Sequence, residues 1–327
     1  MLIDSFQRHI SYLRLSLTDR CNLRCRYCMP EQGVKKLGHD EILSYEEFLT
    51  AARAAAAEGM TKIRLTGGEP LVRKGILEFI EKLAAIPGIM DLRLTTNGVL
   101  LGPMARDLLR AGIKRVNVSL DSLDPRTFEY ISGRNEFNRV WAGLEKALEA
   151  GFDLIKVNCV PIRGINDHEI EAFARLSLEK PIEVRFIEFM PLGRHCFWSP
   201  DRITPTAEIK KRLAAMGELT PEPHRASEGP ANVFRLPQAQ GSVGFISPMT
   251  DHFCGTCNRL RLTADGKLRL CLLSELEMDL KPLLRSGAGL EEISAFLRDA
   301  VKLKPGAHLL SEELPVVSGR EMNLIGG

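Results

Sequence analysis

Six of the chain's eight cysteines fall into two triplets near its opposite ends. Cys21, Cys25 and Cys28 are set apart by three and then two residues, and Cys254 and Cys257 by two, with Cys271 thirteen residues further on. Eight cysteines could staple a small secreted domain. This chain runs to 327 residues and begins Met1-Leu2-Ile3-Asp4, without a charged-then-apolar leader. The grouping is that of ligands. Three thiolates in a short loop can hold three corners of a cubane [4Fe-4S] cluster and leave the fourth iron open to another molecule. Zinc is the alternative, but a structural zinc site needs four protein ligands. No histidine lies close to the first triplet, whereas His252 could complete a Cys3His set at the second. After Cys257, Arg259 and Arg261 share one side of a strand-like run around Leu260, which suggests an anion brought to that site.

The elements that must position these residues are legible between about 11 and 190. Short β-type runs at Tyr12–Leu17, Lys62–Leu65, Leu92–Thr95, Arg115–Leu120, Leu154–Val160 and Ile182–Phe189 alternate with helical stretches. Ser44 and Glu47 form a capping box, Asp124-Pro125 an N-cap with a first-turn proline, and Gly151 a helix stop. Such alternation predicts βαβ units and a parallel sheet. Six strands fall short of the eight of a closed barrel. The expected fold is therefore α/β, an incomplete (β/α)6 TIM-like barrel over residues 1–217, with a doubly wound open sheet as the competing architecture. A C-terminal segment, 218–327, carries the second triplet. Within it 218–242 reads as loop, and helices are expected near 276–285 and 290–300. The first triplet directly follows the first strand, at the face where barrel enzymes keep their active sites.

Buried parallel strands are ordinarily continuous apolar runs. Here Arg14, Arg64, Lys156 and Arg185 each interrupt one. Side chains alternate along a strand, so these cations face away from their apolar neighbours. One solvated sheet face would explain a single case. Four in a βα series point into the lumen, because helices cover the outside. Cations gathered in one cavity cost several kcal/mol each unless an anion joins them, which predicts a polyanionic ligand.

Composition excludes other classes. Hydrophobic residues are 44% and charged residues 26%, a globular mix. Lys plus Arg is 44 and Asp plus Glu 42, a net charge of +2, far from the basic excess of a nucleic-acid binder. No apolar run reaches the roughly 18 residues of a membrane span, so a cytoplasmic protein without membrane or nucleic-acid partners is expected. No Ser-His-Asp or paired-carboxylate constellation supports hydrolysis. Cys159, in an apolar strand, and Cys196, beside Phe197-Trp198, read as plain thiols, and His168 as a surface residue.

The first triplet, with Tyr27 just before its last cysteine, resembles the radical S-adenosylmethionine (SAM) superfamily. Gly67-Gly68-Glu69-Pro70, after the second strand, resembles that superfamily's SAM-binding turn. The resemblance implies a [4Fe-4S] cluster on Cys21, Cys25 and Cys28, with SAM chelating the open iron and contacting Tyr27, Gly68, Ser119 and Met190. Both triplets together resemble the GTP 3′,8-cyclase family, from Tyr12-Leu13-Arg14 to Ile325-Gly326-Gly327.

That likeness implies a second [4Fe-4S] cluster on Cys254, Cys257 and Cys271 that binds GTP. It implies GTP contacts from Arg14, Arg64, Thr95, Lys156, Arg185, Arg259, Leu260 and Arg261, with Arg259 and Arg261 the catalytic pair. It further implies a lyase in which a SAM-derived radical removes the ribose 3′ hydrogen. The carbon radical then closes on guanine C8, the first step of molybdenum cofactor biosynthesis. A one-electron reductant, a downstream cyclic pyranopterin monophosphate synthase and a homodimer are its implied partners. In the family the terminal Gly326-Gly327 reaches into the active site, and Ser318-Gly319-Arg320 before it is close to the family pattern. Two other classes compete. A peptide-modifying SAM-radical enzyme would carry more C-terminal cysteines, and a metal-stabilised binding module would carry more charge and more than 6% aromatics.

Overall fold

The computed structural model describes residues 1–193, 197–223, 229–308 and 319–326. Six parallel strands stand where the sequence places them: β1 (Tyr12–Ser16), β2 (Lys62–Thr66), β3 (Asp91–Thr96), β4 (Arg115–Ser119), β5 (Leu154–Cys159) and β6 (Ile182–Ile187). Each pairs with the next in register. The crossovers are α1 (Tyr45–Ala57), α2 (Ile76–Ala84), α3 (Leu101–Ala111), the pair α4 (Pro125–Ser132) and α5 (Phe137–Ala150), and α6 (Ile170–Glu179). After β6 comes α7 (Thr206–Leu213). The capping signals hold: Ser44 and Glu47 form a reciprocal box, Asp124 caps α4, and Gly151 ends α5 at a φ of 84°. The helices are held on the outside by strand residues such as Leu13, Leu65, Leu94 and Val118, which join Phe48, Phe79, Leu108 and Phe173 in one core. Burying each large apolar side chain contributes about 1.5–3 kcal/mol. The fold is the incomplete barrel.

Two more parallel strands come from the C-terminal third. In the stretch expected to be loop, β7 (Asn232–Arg235) forms a hairpin with β8 (Ser242–Ile246), and Thr220–Pro221 pairs with β7. Polar and proline-rich flanks hid the alternation around Val233. β8 then adds parallel to β6, and β9 (Arg259–Leu262) adds parallel to β1 at the opposite edge. β10 (Lys267–Arg269) and β11 (Glu277–Asp279) continue antiparallel. β11 occupies part of the stretch expected to be helix, and α8 (Lys281–Arg285) begins only where Pro282 fits a first turn. α9 (Leu290–Lys302) packs on α1, and α10 (Met322–Ile325) ends the described chain. Among the described residues the order is β11-β10-β9-β1-β2-β3-β4-β5-β6-β8-β7, then Thr220–Pro221, and the edges of the parallel set, β8 and β9, are not joined.

Candidate active site between two cysteine triplets

The C-terminal ends of the strands carry the first triplet. Its loop is pinned to α4 by Arg24 N–H donating to Ser132 O (2.8 Å) and Arg26 N–H donating to Ile131 O (2.9 Å). Cys28 N–H donates to Cys25 O at 2.9 Å, so the chain turns back and brings the sulfurs together. Burial, then the charges of Cys28 and Cys21, push the Cys25 thiol well above its ordinary range. Sulfurs that oppose one another's ionisation this way are stabilised by a shared cationic metal. Asn97 Nδ2 reaches Cys21 Sγ at 3.6 Å.

The glycine turn backs onto the same segment. Gly68 N–H donates to Thr18 O at 2.7 Å, and a Cβ at Gly68 would lie 2.9 Å from Asp19 O and nearer still to the Arg20 carbonyl. Tyr27 Oη donates to Asp121 Oδ2 at 2.7 Å, and its ring meets Phe189 edge-on at 6.4 Å. Burial raises Asp121 to about 6 against the opposing hydrogen bonds from Tyr27 and Val160.

Strand direction puts the second triplet at the other end. Arg259 opens β9 level with Tyr12, the first residue of β1, so Cys254 and Cys257 precede the N-terminal end of a parallel strand. β10 runs antiparallel, so Cys271, two residues beyond it, returns to that same end. Cys257 N–H donates to Cys254 O at 3.1 Å, and Arg259 Nη2 lies 3.6 Å from Cys257 Sγ. Burial would raise the Cys257 thiol, but Arg259 and Lys304 overcome it and pull it down to about 6. His252 packs edge-on against His308 at 4.2 Å between ring centroids. Among the described residues no three His, Cys, Asp or Glu side chains gather as tightly as one ion requires. Cubane ligands bind separate irons and stand further apart than the ligands of one ion.

Between the two ends lies an open cavity of about 1560 Å³, measured out to its mouth. It brings together Arg14, Arg64, Thr95, Arg185, Arg259 and Arg261 with Tyr27, Ser119, Met190 and all three cysteines of the second triplet. Arg261, Arg14, Arg64 and Arg93 stand level on four neighbouring strands. Level residues of parallel strands face one way, so this is a row of guanidiniums. Arg93, unremarked in the sequence, is paired to Asp91, with Nε at 2.9 Å from both carboxylate oxygens.

Lys156 does not line the cavity. Its Nζ lies 3.0 and 3.2 Å from the oxygens of Glu183, which Arg185 Nε also reaches. Leu260 is fully buried in the apolar core, on the face opposite the arginines. Gly68 and the first triplet flank the cavity rather than line it.

Spacing did not reveal Tyr12 and Asp121, which line the cavity, or Glu183 and Lys304, which contact Arg185 and the Arg259 carbonyl. Arg64 Nε donates to Tyr12 Oη, and Arg64 Nη1 to Thr95 Oγ1 at 3.2 Å. Burial opposes ionisation of Tyr12, yet Arg64 and Arg14 bring it down to about 7. A tyrosine one residue before an apolar-cation-apolar run was the available signal. The C-terminal tail also enters: Arg261 Nη1 donates to Gly326 O at 2.7 Å, and a Cβ on Gly326 would strike Thr66 and Ser16. Arg320 anchors the tail through Asp265, at 2.8 and 3.0 Å. Gly327, Ser318 and Cys196 lie outside the described residues; Cys159 is buried.

Known proteins resemble the chain in sequence and fold. Residues 15–177 match the Radical SAM superfamily, and 182–310 match Molybdenum Cofactor Synthesis C. The chain is 51% identical over 324 residues to GTP 3′,8-cyclase of Moorella thermoacetica, covering 99% of each. The chain belongs to the GTP 3′,8-cyclase family. A second relative of that name, from Thermodesulfovibrio yellowstonii, is 52% identical over 326 residues, again 99% of each. SuiB of Streptococcus suis bound to S-adenosylmethionine shares the fold, with a TM-score of 0.62 at 12% identity, over 89% of this chain and 68% of that one. Family and fold together make the chain a radical SAM enzyme of molybdenum cofactor biosynthesis. No helix among the described residues is long and apolar enough to cross a membrane.

Proposed function

We propose that the barrel lumen performs GTP 3′,8-cyclisation, as a lyase with two [4Fe-4S] sites, one at each end. The observation that carries this reading is that Arg261, Arg14 and Arg64 stand level in a cavity that the second triplet lines and the first flanks. Cys21, Cys25 and Cys28 would hold the first cluster, with Tyr27, Gly68, Ser119 and Met190 around SAM. When bound, cluster and SAM supply a 5′-deoxyadenosyl radical that takes the ribose 3′ hydrogen. Cys254, Cys257 and Cys271 would hold the second cluster beside the purine. Arg14, Arg64, Arg185, Arg259 and Arg261, with Thr95, bind and orient the nucleotide. Lys156 acts through Glu183, and Leu260 through its main chain. A fixed ribose matters because a small displacement of the reacting atoms sharply slows the step. A one-electron reductant and a cyclic pyranopterin monophosphate synthase receiving the product complete the reading, with a cytoplasmic homodimer as the working form.

The test is anaerobic reconstitution, then incubation with SAM, GTP and a strong reductant. The expected result is two four-iron clusters and 5′-deoxyadenosine whose formation depends on GTP; zinc in place of iron at both sites would refute it. Cys271→Ser should still cleave SAM while losing productive cyclisation. Normal cyclisation by that variant would remove the substrate role of the second triplet.

A further inference from the structure

Two buried cations donate to backbone carbonyls of the segments that carry the second triplet. Lys304 is 2% exposed and Arg8 is 8% exposed. Lys304 Nζ donates to Arg259 O at 2.9 Å and to Leu270 O. These carbonyls sit two residues after Cys257 and one before Cys271. Arg8 Nη1 donates to Cys254 O at 2.7 Å and to Gly306 O at 2.9 Å, and Nη2 to Pro305 O at 2.6 Å. Arg8 Nε is held by Asp4 at 2.6 Å, so one carboxylate balances it. Both described hydrogen bonds of Lys304 go to main-chain carbonyls, and the negative charges acting on it are those of Cys257 and Cys271.

A buried ammonium costs several kcal/mol unless an opposite charge is near. Its countercharge here is the cysteine pair. All three cysteine-bearing segments, 254, 257–259 and 270–271, are thus tied by their backbones to two cations that meet at residues 304–306. Groups in the second sphere of a metal site orient its ligands and tune the bound group.

We infer that Lys304, seated by Arg8, is a positioning residue that sets the geometry and the reduction potential of the second iron–sulfur site. The inference rests on the two-cluster reading above. A reduced cluster carries one more negative charge than an oxidised one, so a fixed ammonium beside its thiolates favours reduction and raises the potential. Hydrogen bonds to the carbonyls fix where the thiolates point; the charge fixes how readily the site accepts an electron.

The experiment uses the full chain with Cys21, Cys25 and Cys28 replaced by alanine, so that only the second site can load. In this background Lys304→Met, Lys304→Gln and Lys304→Arg are reconstituted anaerobically. Folding is followed by circular dichroism, iron and sulfide are counted, and the potential is read by EPR-monitored redox titration. Glutamine keeps a donor for the carbonyls without the charge. The expected result is a lower potential in Met and Gln, shifting the reduced-to-oxidised ratio at least tenfold, about 59 mV for one electron. Arg stays near the parent. An unchanged potential and iron content in Lys304→Gln would overturn the inference. Should Lys304→Met not fold, Lys304→Gln and Lys304→Arg still decide it. A parent that binds no iron would instead defeat the two-cluster reading.

Discussion

Glu183 is the buried carboxylate shared by Lys156 and the cavity-lining Arg185, and replacing it measures how strongly these cations need a negative partner. Its carboxylate is 4% exposed and holds Lys156 at 3.0 Å and Arg185 beside it. Burial opposes its ionisation, but Arg185 and Lys156 hold the carboxyl below the ordinary 4.5. Glu183→Gln keeps the shape and removes the charge, leaving two buried cations without their shared partner. Breaking a buried ion pair from one side costs about 3–5 kcal/mol.

Over 327 residues, at about 2.1 cal/mol/K each, the unfolding entropy is roughly 0.7 kcal/mol/K, so the midpoint should fall by about 4–7 °C. Differential scanning calorimetry of the reconstituted enzyme reads this directly. Because the folded pKa is depressed, the contribution is present above 4.5 and is lost as pH falls through the folded value. The gap between variant and parent should therefore close in acid. A polyanion should restore what the mutation removes. If GTP binds the variant tenfold tighter, saturating GTP raises its midpoint by about 2 °C more than the parent's, from an extra 1.4 kcal/mol. A midpoint within about 1 °C of the parent without GTP, or equal stabilisation of both by GTP, refutes the idea that lumen charge is what the nucleotide satisfies.

Tyr12→Phe tests the same charges at higher pH. The phenol is depressed from 10 to about 7, so its contribution is full above 10 and is lost as pH falls through 7; the parent's urea-unfolding advantage should grow between those values by up to about 4 kcal/mol. A gap that stays constant from pH 6 to 9 would contradict the assignment. Gly68→Ala forces a Cβ against the Asp19 and Arg20 carbonyls; calorimetric titration should show at least tenfold weaker SAM binding with the fold retained, and an unchanged affinity would remove Gly68 from the SAM site.

Most of the six barrel strands carry a cation between two apolar residues, which marks both the strand and its faces, while β4 was legible from its β-type run alone. Arg14, Arg64 and Arg185 could be aimed into the lumen from alternation alone, and they line the cavity. Alternation shows which face a side chain takes but not what it meets there. Lys156 therefore looked like a ligand contact, while the structure pairs it with Glu183, a residue two positions before Arg185 on the neighbouring strand. β7 was hidden for a different reason: a strand of four residues carries too little periodicity. β9 was legible as a strand-like run around Leu260, but its pairing with β1 depends on a chain path that no local pattern encodes. That same path places the two triplets at opposite ends. Spacing grouped the six cysteines into two triplets; only strand direction showed that the triplets lie at opposite ends of a barrel.

The row of arginines explains why a chain of charge +2 can hold so basic a cavity. Arg269 on β10, level with Arg261, extends the row and is paired with Glu277, and Arg93 at the other end is paired with Asp91. The central three, Arg261, Arg14 and Arg64, line the cavity. Carboxylates thus balance the ends of the row and leave its middle directed at the guest. Neighbouring strands lie about 4.8 Å apart, so three adjacent members span roughly 10 Å. At that spacing one small anion reaches one guanidinium well, whereas a chain of linked anions reaches all three. Each additional contact at about 4 Å contributes up to roughly 4 kcal/mol at an effective dielectric of 20, before desolvation. Under the proposed nucleotide role, such a row would discriminate by the number and reach of charges, so calorimetric titration should show GTP binding more tightly than GDP or GMP, and equal affinities would refute that role for the row.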